Sequence, residues 1–286
     1  MFVCDSQVHI WAEPSAERPW TPGGPELHRQ MGHRGAAIGC EELKALMDAA
    51  GVDRAILVPP TWDMDRNDLG IAAAARDPDR FALMARVPLR DRETGRALLK
   101  SWRDIPGVRG VRLTFFRPEE ATWLRDGTAD WYWPVAEELG VPTMVHAANF
   151  KKEIAAVAEA HPRLRLMLDH MGVPGGTKDD AVIPIVEETA KLSRYPNVSV
   201  KLSGLPAKST EPFPYPNLNG CVRMLVDAFG PRRCYWGTDL SRMLGFRGIT
   251  YRQCVTHFTE HMDFLTADEL DWIMGRALCE ALDWPV

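Results

Sequence analysis

Long apolar runs are missing from this 286-residue chain. None approaches the ~20 residues of a membrane-spanning helix, so no membrane role is expected. A basic excess is missing as well. The net charge is −5 and the pI about 5.9, and there is no basic stripe of the kind nucleic-acid binding needs. The six cysteines (4, 40, 221, 234, 254 and 279) include no C-x-x-C pair; they read as reduced core thiols of a cytoplasmic protein. Asp5 interrupts the first apolar run almost at once, so no signal peptide is expected. No G-x-G-x-x-G follows a strand-like run, which leaves a dinucleotide-binding doubly wound sheet without support. There is no low-complexity segment and no clear repeat, and the 22 prolines and 22 glycines are spread through many turns.

What is present is a regular alternation of short apolar runs and amphipathic segments. Residues 2–11, F-V-C-D-S-Q-V-H-I-W, alternate as a strand does, so Gln7 and His9 share one face near its C-terminal end. A polar, Pro/Gly-rich loop follows over 12–39; it is far longer than the ~4–6 residues of ordinary connections and therefore functional or disordered. Further strands are predicted at 53–59, 81–87, 108–114, 141–146, 164–170, 198–203 and 234–239. Helices are predicted at 40–50, 65–76, 92–104, 134–139, 151–160, 181–193, 218–229, 251–261 and 267–282. Eight short strands, each followed by a helix, predict a parallel sheet covered by helices. Eight units favour closure into a single distorted (β/α)8 TIM-type barrel with long βα loops, one domain over 1–286, in keeping with the ~250 residues of such barrels plus insertions.

Active sites of such barrels lie at the C-terminal strand ends. Gln7 and His9 sit there on strand one, Arg112 on strand four, His146 on five, Asp169-His170 on six, Lys201 and Ser203 on seven, and Asp239 on eight. One terminal histidine is usually a satisfied structural residue. Three histidines, an aspartate and a lysine on separate strands converge on one pocket mouth. Asp169 directly precedes His170, so alternation turns it towards the helices in a structural role.

Together D-S-Q-V-H-I-W, L-D-H-M-G, V-K-L-S-G-L and W-G-T-D resemble the amidohydrolase superfamily, and within it the amidohydrolase-2 group of sugar and dicarboxylate lactonases and metal-dependent decarboxylases. The resemblance runs through nearly the whole chain and implies the same barrel. It implies a site of H-x-H on strand one, histidines on strands five and six, and an aspartate on strand eight. The first histidine of H-x-H is Gln7 here. An amide oxygen is a poor transition-metal ligand, so no cofactor is the preferred expectation. A weakened zinc or manganese site on His9, His146 and Asp239 remains as the alternative.

By resemblance Asp239 is the base that takes the water proton. His9, His146 and His170 would hydrogen-bond the carbonyl or the water, and Lys201 would stabilise the oxyanion or pair with an acid in the barrel mouth. Arg112 and Arg117 carry the planar fork that matches a substrate carboxylate. Gln7 and Trp11 complete the candidate substrate contacts, and Trp62, Phe115 and Phe116 could wall the pocket. His28 and His33 in the long first loop could close over the substrate as a lid, though exposed loop histidines are the preferred reading, and His257 and His261 read as an outer helix face. Ser203 has no assignable histidine partner. The leading function is a hydrolase that opens a cyclic ester, a carboxylated lactone from sugar or aromatic-acid catabolism, by Asp-assisted attack of water. The alternatives are a metal-dependent decarboxylase of a carboxylated aromatic acid and a catalytically silent binding protein. The partner expected is a small carboxylated molecule, and a homo-oligomer is compatible with such a barrel.

Overall fold

Short runs rich in valine, leucine and alanine form the strands, and polar residues stand at or just past several of their C-terminal ends. A computed structural model of the chain describes residues 1–63, 65–117, 119–245 and 248–286. Its strands are β1 (Cys4–Val8), β2 (Arg54–Leu57), β3 (Phe81–Ala85), β4 (Val108–Thr114), β5 (Thr143–His146), β6 (Leu166–Leu168), β7 (Val198–Ser203) and β8 (Cys234–Gly237). They pair in sequence order, and every pairing is parallel. Helices run between them: α1 (Gly24–Gln30), α2 (Cys40–Ala50), α3 (Asp68–Arg76), α4 (Arg92–Lys100), α5 (Tyr132–Glu138), α6 (Lys151–Ala160), α7 (Ile183–Ala190), α8 (Asn219–Phe229), α9 (Leu240–Gly245), α10 (Tyr251–His261), α11 (Ala267–Asp271) and α12 (Ala277–Ala281). This is the (β/α)8 barrel expected from the alternation.

The interior follows from the two-residue strand period. Ile56, Ala82, Met84, Met144, Met167 and Tyr235 point inward and pack on one another. Gly110 belongs to the same layer, and a Cβ there would lie 2.3 Å from the Pro142 carbonyl oxygen and 2.6 Å from Met84 Cε. The N-terminal end of the barrel is plugged by α12 and the residues after it: Leu278, Leu282 and Trp284 pack against Cys4 and its neighbours. A cavity lies at the opposite, C-terminal mouth.

The seam is the distorted part. The ladder runs from β1 to β8, and β8 closes on β1 through individual bonds. Asp239 N donates to the Gln7 carbonyl at 2.9 Å. The fully buried Asp5 accepts from Gln7 N and Thr238 N, each at 2.9 Å, from the Thr238 hydroxyl at 2.5 Å and from the Tyr251 hydroxyl at 2.8 Å. One carboxylate thus ties the start of the sheet to its end and to α10.

Several boundaries differ from the expected ones. The loop over 12–39 is built around α1, which packs beneath a three-residue turn at Thr61–Asp63. The predicted 267–282 helix is interrupted by a wide turn at Trp272–Arg276, where Gly275 meets Phe2 and Cys4. The sixth strand stops at Leu168, and residues 169–172 form a turn in which His170 and Met171 have positive φ. No helix of the described residues is long and apolar enough to cross a membrane.

Candidate functional site

At the barrel mouth a cavity of about 260 Å³ is lined by His9, Arg112, His146, His170 and Asp239 from the strand ends. His33, Trp62, Phe116, Lys208 and Arg242 reach it from the loops. The volume lies just below the ~300–1,000 Å³ of common small-molecule sites and suits a compact ligand.

Beneath the cavity lies a buried ionic network. Asp169 is two residues past the inward Met167, so it points into the barrel, contrary to the expectation that it faces the helices. The strand's early end removes the basis of that expectation, because His170 is already in a turn. Asp169 Oδ2 accepts from Arg112 Nε at 3.0 Å, and Lys201 Nζ lies 2.9 Å from Asp169 Oδ1. Burial would raise the Asp169 pKa, but Lys201 and Arg112 hold it well below the usual carboxylate range. Burial pulls Lys201 down, with Asp169 opposing. Lys201 is fully buried and is absent from the cavity lining. It fulfils the ion-pair reading, and the oxyanion role expected of it loses its geometric basis.

Lys201 also donates to Gln7 Oε1. Because an ammonium can only donate, this bond fixes the amide orientation and turns Gln7 Nε2 towards His9 Nε2, 3.3 Å away. His9 Nδ1 lies 2.6 Å from the Val58 carbonyl, which can only accept. His9 is therefore the Nδ1–H tautomer and its Nε2 accepts from Gln7. Gln7 does not line the cavity; it acts behind His9 rather than as the direct substrate contact expected of it.

Two residues at the mouth occupy the left-handed backbone region, His170 at φ 53° and Asp239 at φ 59°. Such conformations are costly for side-chain-bearing residues and cluster at functional sites. They swing both side chains from their strand ends over the cavity. His170 Nδ1 pairs with Ser203 Oγ at 2.9 Å, the partner that could not be assigned for Ser203 from sequence. Burial lowers the His170 pKa to about 4 and pushes His146 well below its ordinary value; both are neutral at pH 7. Their rings meet edge to face at 5.3 Å, and His146 Nδ1 has no protein partner. Burial would raise Asp239, but the imidazoles of His9, His33 and His170 hold it well below the carboxylate range. Its Oδ1 lies 3.3 Å from His9 Nε2, which donates to it when the imidazole is protonated, and has no other hydrogen-bond donor.

The first long loop supplies what sequence reasoning assigned to solvent. His28 and His33 are buried, not exposed. His33 Nδ1 bonds Ser241 Oγ at 2.7 Å, and Arg34 N donates to the Ser241 carbonyl at 2.8 Å, so the loop is fastened to α9. Trp11 packs edge-on to Trp62 at 5.5 Å and supports that wall from behind without lining the cavity. Arg117 is also outside the lining and is engaged by Glu120 at 2.7 Å and Glu119 at 3.3 Å. Arg112 lines the cavity, as expected, with its Nε engaged by Asp169. His257 is buried against Tyr215 rather than on an outer face.

A metal would find a different donor set from the one expected. His9, His33 and Asp239 each offer an atom within 4.8 Å of the others, and His33 replaces His146 in this group. Two imidazoles and a carboxylate match the composition of a three-ligand zinc site, and His33 Nε2 and Asp239 Oδ1 have no other partner. The residues fit a divalent ion, with the Gln7 amide competing for His9 Nε2. Lys208 and Arg242 were missed. Both lie just past strand ends: Lys208 closes the turn Leu205–Lys208 after β7, and Arg242 lies in α9, one helical turn beyond Asp239.

The family model described as amidohydrolase matches residues 4–286. The chain is 28% identical over 265 residues to an L-fucono-1,5-lactonase of Burkholderia ambifaria, covering 86% of this chain and 83% of that protein. It is 29% identical over 206 residues to a 4-sulfomuconolactone hydrolase of Hydrogenophaga intermedia, covering 70% and 64%. Among solved structures it resembles an amidohydrolase of Burkholderia multivorans with bound zinc, at a TM-score of 0.80 and 20% identity over all of both chains.

Proposed function

Because the chain belongs to the amidohydrolase family, we propose that it is a hydrolase that opens a small, carboxylated cyclic ester with water. One observation carries this reading: Asp239, held ionised in a strained backbone conformation and with no hydrogen-bond partner for its buried Oδ1, lines the cavity beside His9, His33, His146 and His170. The lactonase relatives support the ester as the bond acted on.

In the proposed reaction Asp239 accepts a proton from a water molecule as the water oxygen attacks the lactone carbonyl carbon. The carbonyl oxygen becomes an oxyanion, and neutral histidines and the free end of the Arg112 guanidinium supply donors for it. Ser203 Oγ–H donating to His170 Nδ1 leaves the His170 Nε2–H to donate into the cavity. Collapse of the intermediate breaks the bond between the carbonyl carbon and the ring oxygen, and that oxygen takes the proton from Asp239. The product is a hydroxy acid, and the aspartate is regenerated ionised. His9, His33 and Asp239 would hold a divalent metal, which supplies Lewis-acid polarisation when bound. The Gln7 amide at His9 Nε2 supports hydrolysis that does not depend on it, and counts equally against the metal-dependent decarboxylase reading.

A panel of sugar lactones and carboxylated lactones, followed by acid release, tests the proposal. Turnover is expected on at least one member, and Asp239→Asn is expected to lower kcat about a hundredfold or more with the fold intact. A panel without turnover, or near-wild-type rates in that variant, refutes it.

A further inference from the structure

The cavity is lined by three cations, Arg112, Lys208 and Arg242, and one carboxylate, Asp239. They are not equally free. Arg112 has its counter-ion in Asp169. Lys208 is 2% exposed and has none: its ammonium donates to the Pro174 carbonyl at 2.6 Å and the Val173 carbonyl at 3.2 Å. Two carbonyls accept two of its three hydrogens, and neither carries a charge. Arg242, from the helix after Asp239, has its buried Nε without a partner. Among the described residues neither Lys208 nor Arg242 forms an ion pair with a carboxylate. A buried cation without a counter-ion is costly, and such groups are retained where something completes them.

We infer that Lys208 and Arg242 form an anion clamp at the cavity mouth, and that the substrate is a lactone carrying a carboxylate seated between them. This rests on the lactonase reading and deepens it. The clamp lies on the loops after β7 and β8, while the groups proposed for the chemistry lie at the strand ends. The carboxylate would then set which way the ring enters and which face of its carbonyl meets Asp239. The carbonyls that hold Lys208 belong to the loop after β6, so the clamp also joins the β6 and β7 loops. Arg112 becomes a buried donor at the cavity floor instead of the principal carboxylate ligand.

The test uses pairs of monocyclic lactones that differ only in bearing a carboxylate or its neutral methyl ester, with the wild-type protein and with Lys208→Met, Lys208→Arg and Arg242→Met. Wild type is expected to prefer the carboxylated member. Both methionine variants should raise its KM roughly tenfold more than that of the neutral member, the effect of losing one partly desolvated ionic contact. Lys208→Arg should restore most of the difference. Equal loss on both members, or wild-type indifference to the carboxylate, overturns the clamp. If no lactone is turned over, the lactonase reading fails separately. The clamp is then read by calorimetric binding of cyclohexanecarboxylate against cyclohexanecarboxamide. Selective carboxylate binding that is weakened in the methionine variants upholds it, and equal or absent binding of the two overturns it. Arg242→Met keeps the test valid even if Lys208→Met, which gives up two structural bonds, fails to fold.

Discussion

Asp5 offers the sharpest test of how this barrel closes. Its carboxylate is fully buried and accepts four donors from β1, β8 and α10. Asp5→Ala strands all four, and each unsatisfied buried donor costs ~1–3 kcal/mol, so the substitution should destabilise by about 4 kcal/mol or more. Asp5→Asn is milder. Its one remaining oxygen can still accept from Gln7 N and Thr238 N, while the hydroxyls of Thr238 and Tyr251 turn to accept from the new amide nitrogen. The weaker hydrogen bonds are offset by removal of a charge that burial disfavours, so Asp5→Asn should lie within about 1–2 kcal/mol of wild type at pH 7. The gap between wild type and Asp5→Asn should also depend on pH. Burial, opposed by the four donors, raises the Asp5 pKa from 3.8 to about 6. Between those values the folded protein holds a proton that the unfolded chain releases, so wild-type stability rises as pH falls through the window. The full gain is about 3 kcal/mol, and the asparagine variant lacks it. Urea unfolding of the three proteins at pH 7 and pH 4.5 reads both effects. Asp5→Ala within about 1 kcal/mol of wild type, or a wild-type-to-Asn gap that does not change with pH, refutes the reasoning.

Two further outcomes follow from the site. Purified protein should carry well below one equivalent of zinc or manganese by elemental analysis, and chelation should leave lactone hydrolysis intact; a full equivalent with activity lost on chelation would show that the His9, His33 and Asp239 set wins over the Gln7 amide. Burial, with Arg242 adding to it and Asp239 opposing, holds Lys208 down to about 7, so the charge is present below that pH and lost above it. KM for a carboxylated lactone should be flat from about pH 6 to 7 and then rise by up to about tenfold per pH unit, while kcat stays level; a flat KM between pH 6 and 8.5 refutes this.

The barrel was legible because most of its strands keep a two-residue period, broken by register shifts in β1 and between β3 and β4. That period alone directs Arg112, His146 and Lys201 inward. It misleads where a strand stops early. Reading β6 through to His170 reverses the faces of Asp169 and His170, whereas the inward Met167 two residues before Asp169 carries the correct signal. Contacts across the mouth were not legible. Ser203 meets His170 from a neighbouring strand, and His33 meets Ser241 across 208 positions of chain. Those pairs depend on barrel closure and on how a long loop folds back, which no local pattern encodes. Lys208 and Arg242 escaped notice for a related reason: they lie just past the strand ends, in a turn and at the start of α9, where the alternation has ceased.

Gln7 is better understood as a coupler than as a lost metal ligand. Lys201 can only donate and His9 Nε2 here can only accept, so the residue between them must accept on one side and donate on the other. A primary amide does both. A neutral imidazole has one acceptor nitrogen, which could serve Lys201 or a metal but not the two together. Restoring the histidine should therefore fail to restore a strong metal site. In Gln7→His, metal binding must forfeit the Lys201 contact, a charged hydrogen bond worth ~1.5–3 kcal/mol, which lowers zinc affinity roughly tenfold to a hundredfold below that of an unencumbered site. Zinc content after dialysis against a buffered metal solution should stay below one equivalent, because the imidazole nitrogen that would bind zinc is the acceptor that Lys201 takes. A stoichiometric, chelator-sensitive zinc protein from this single substitution would refute the coupler and return Gln7 to the role of a simple ligand replacement.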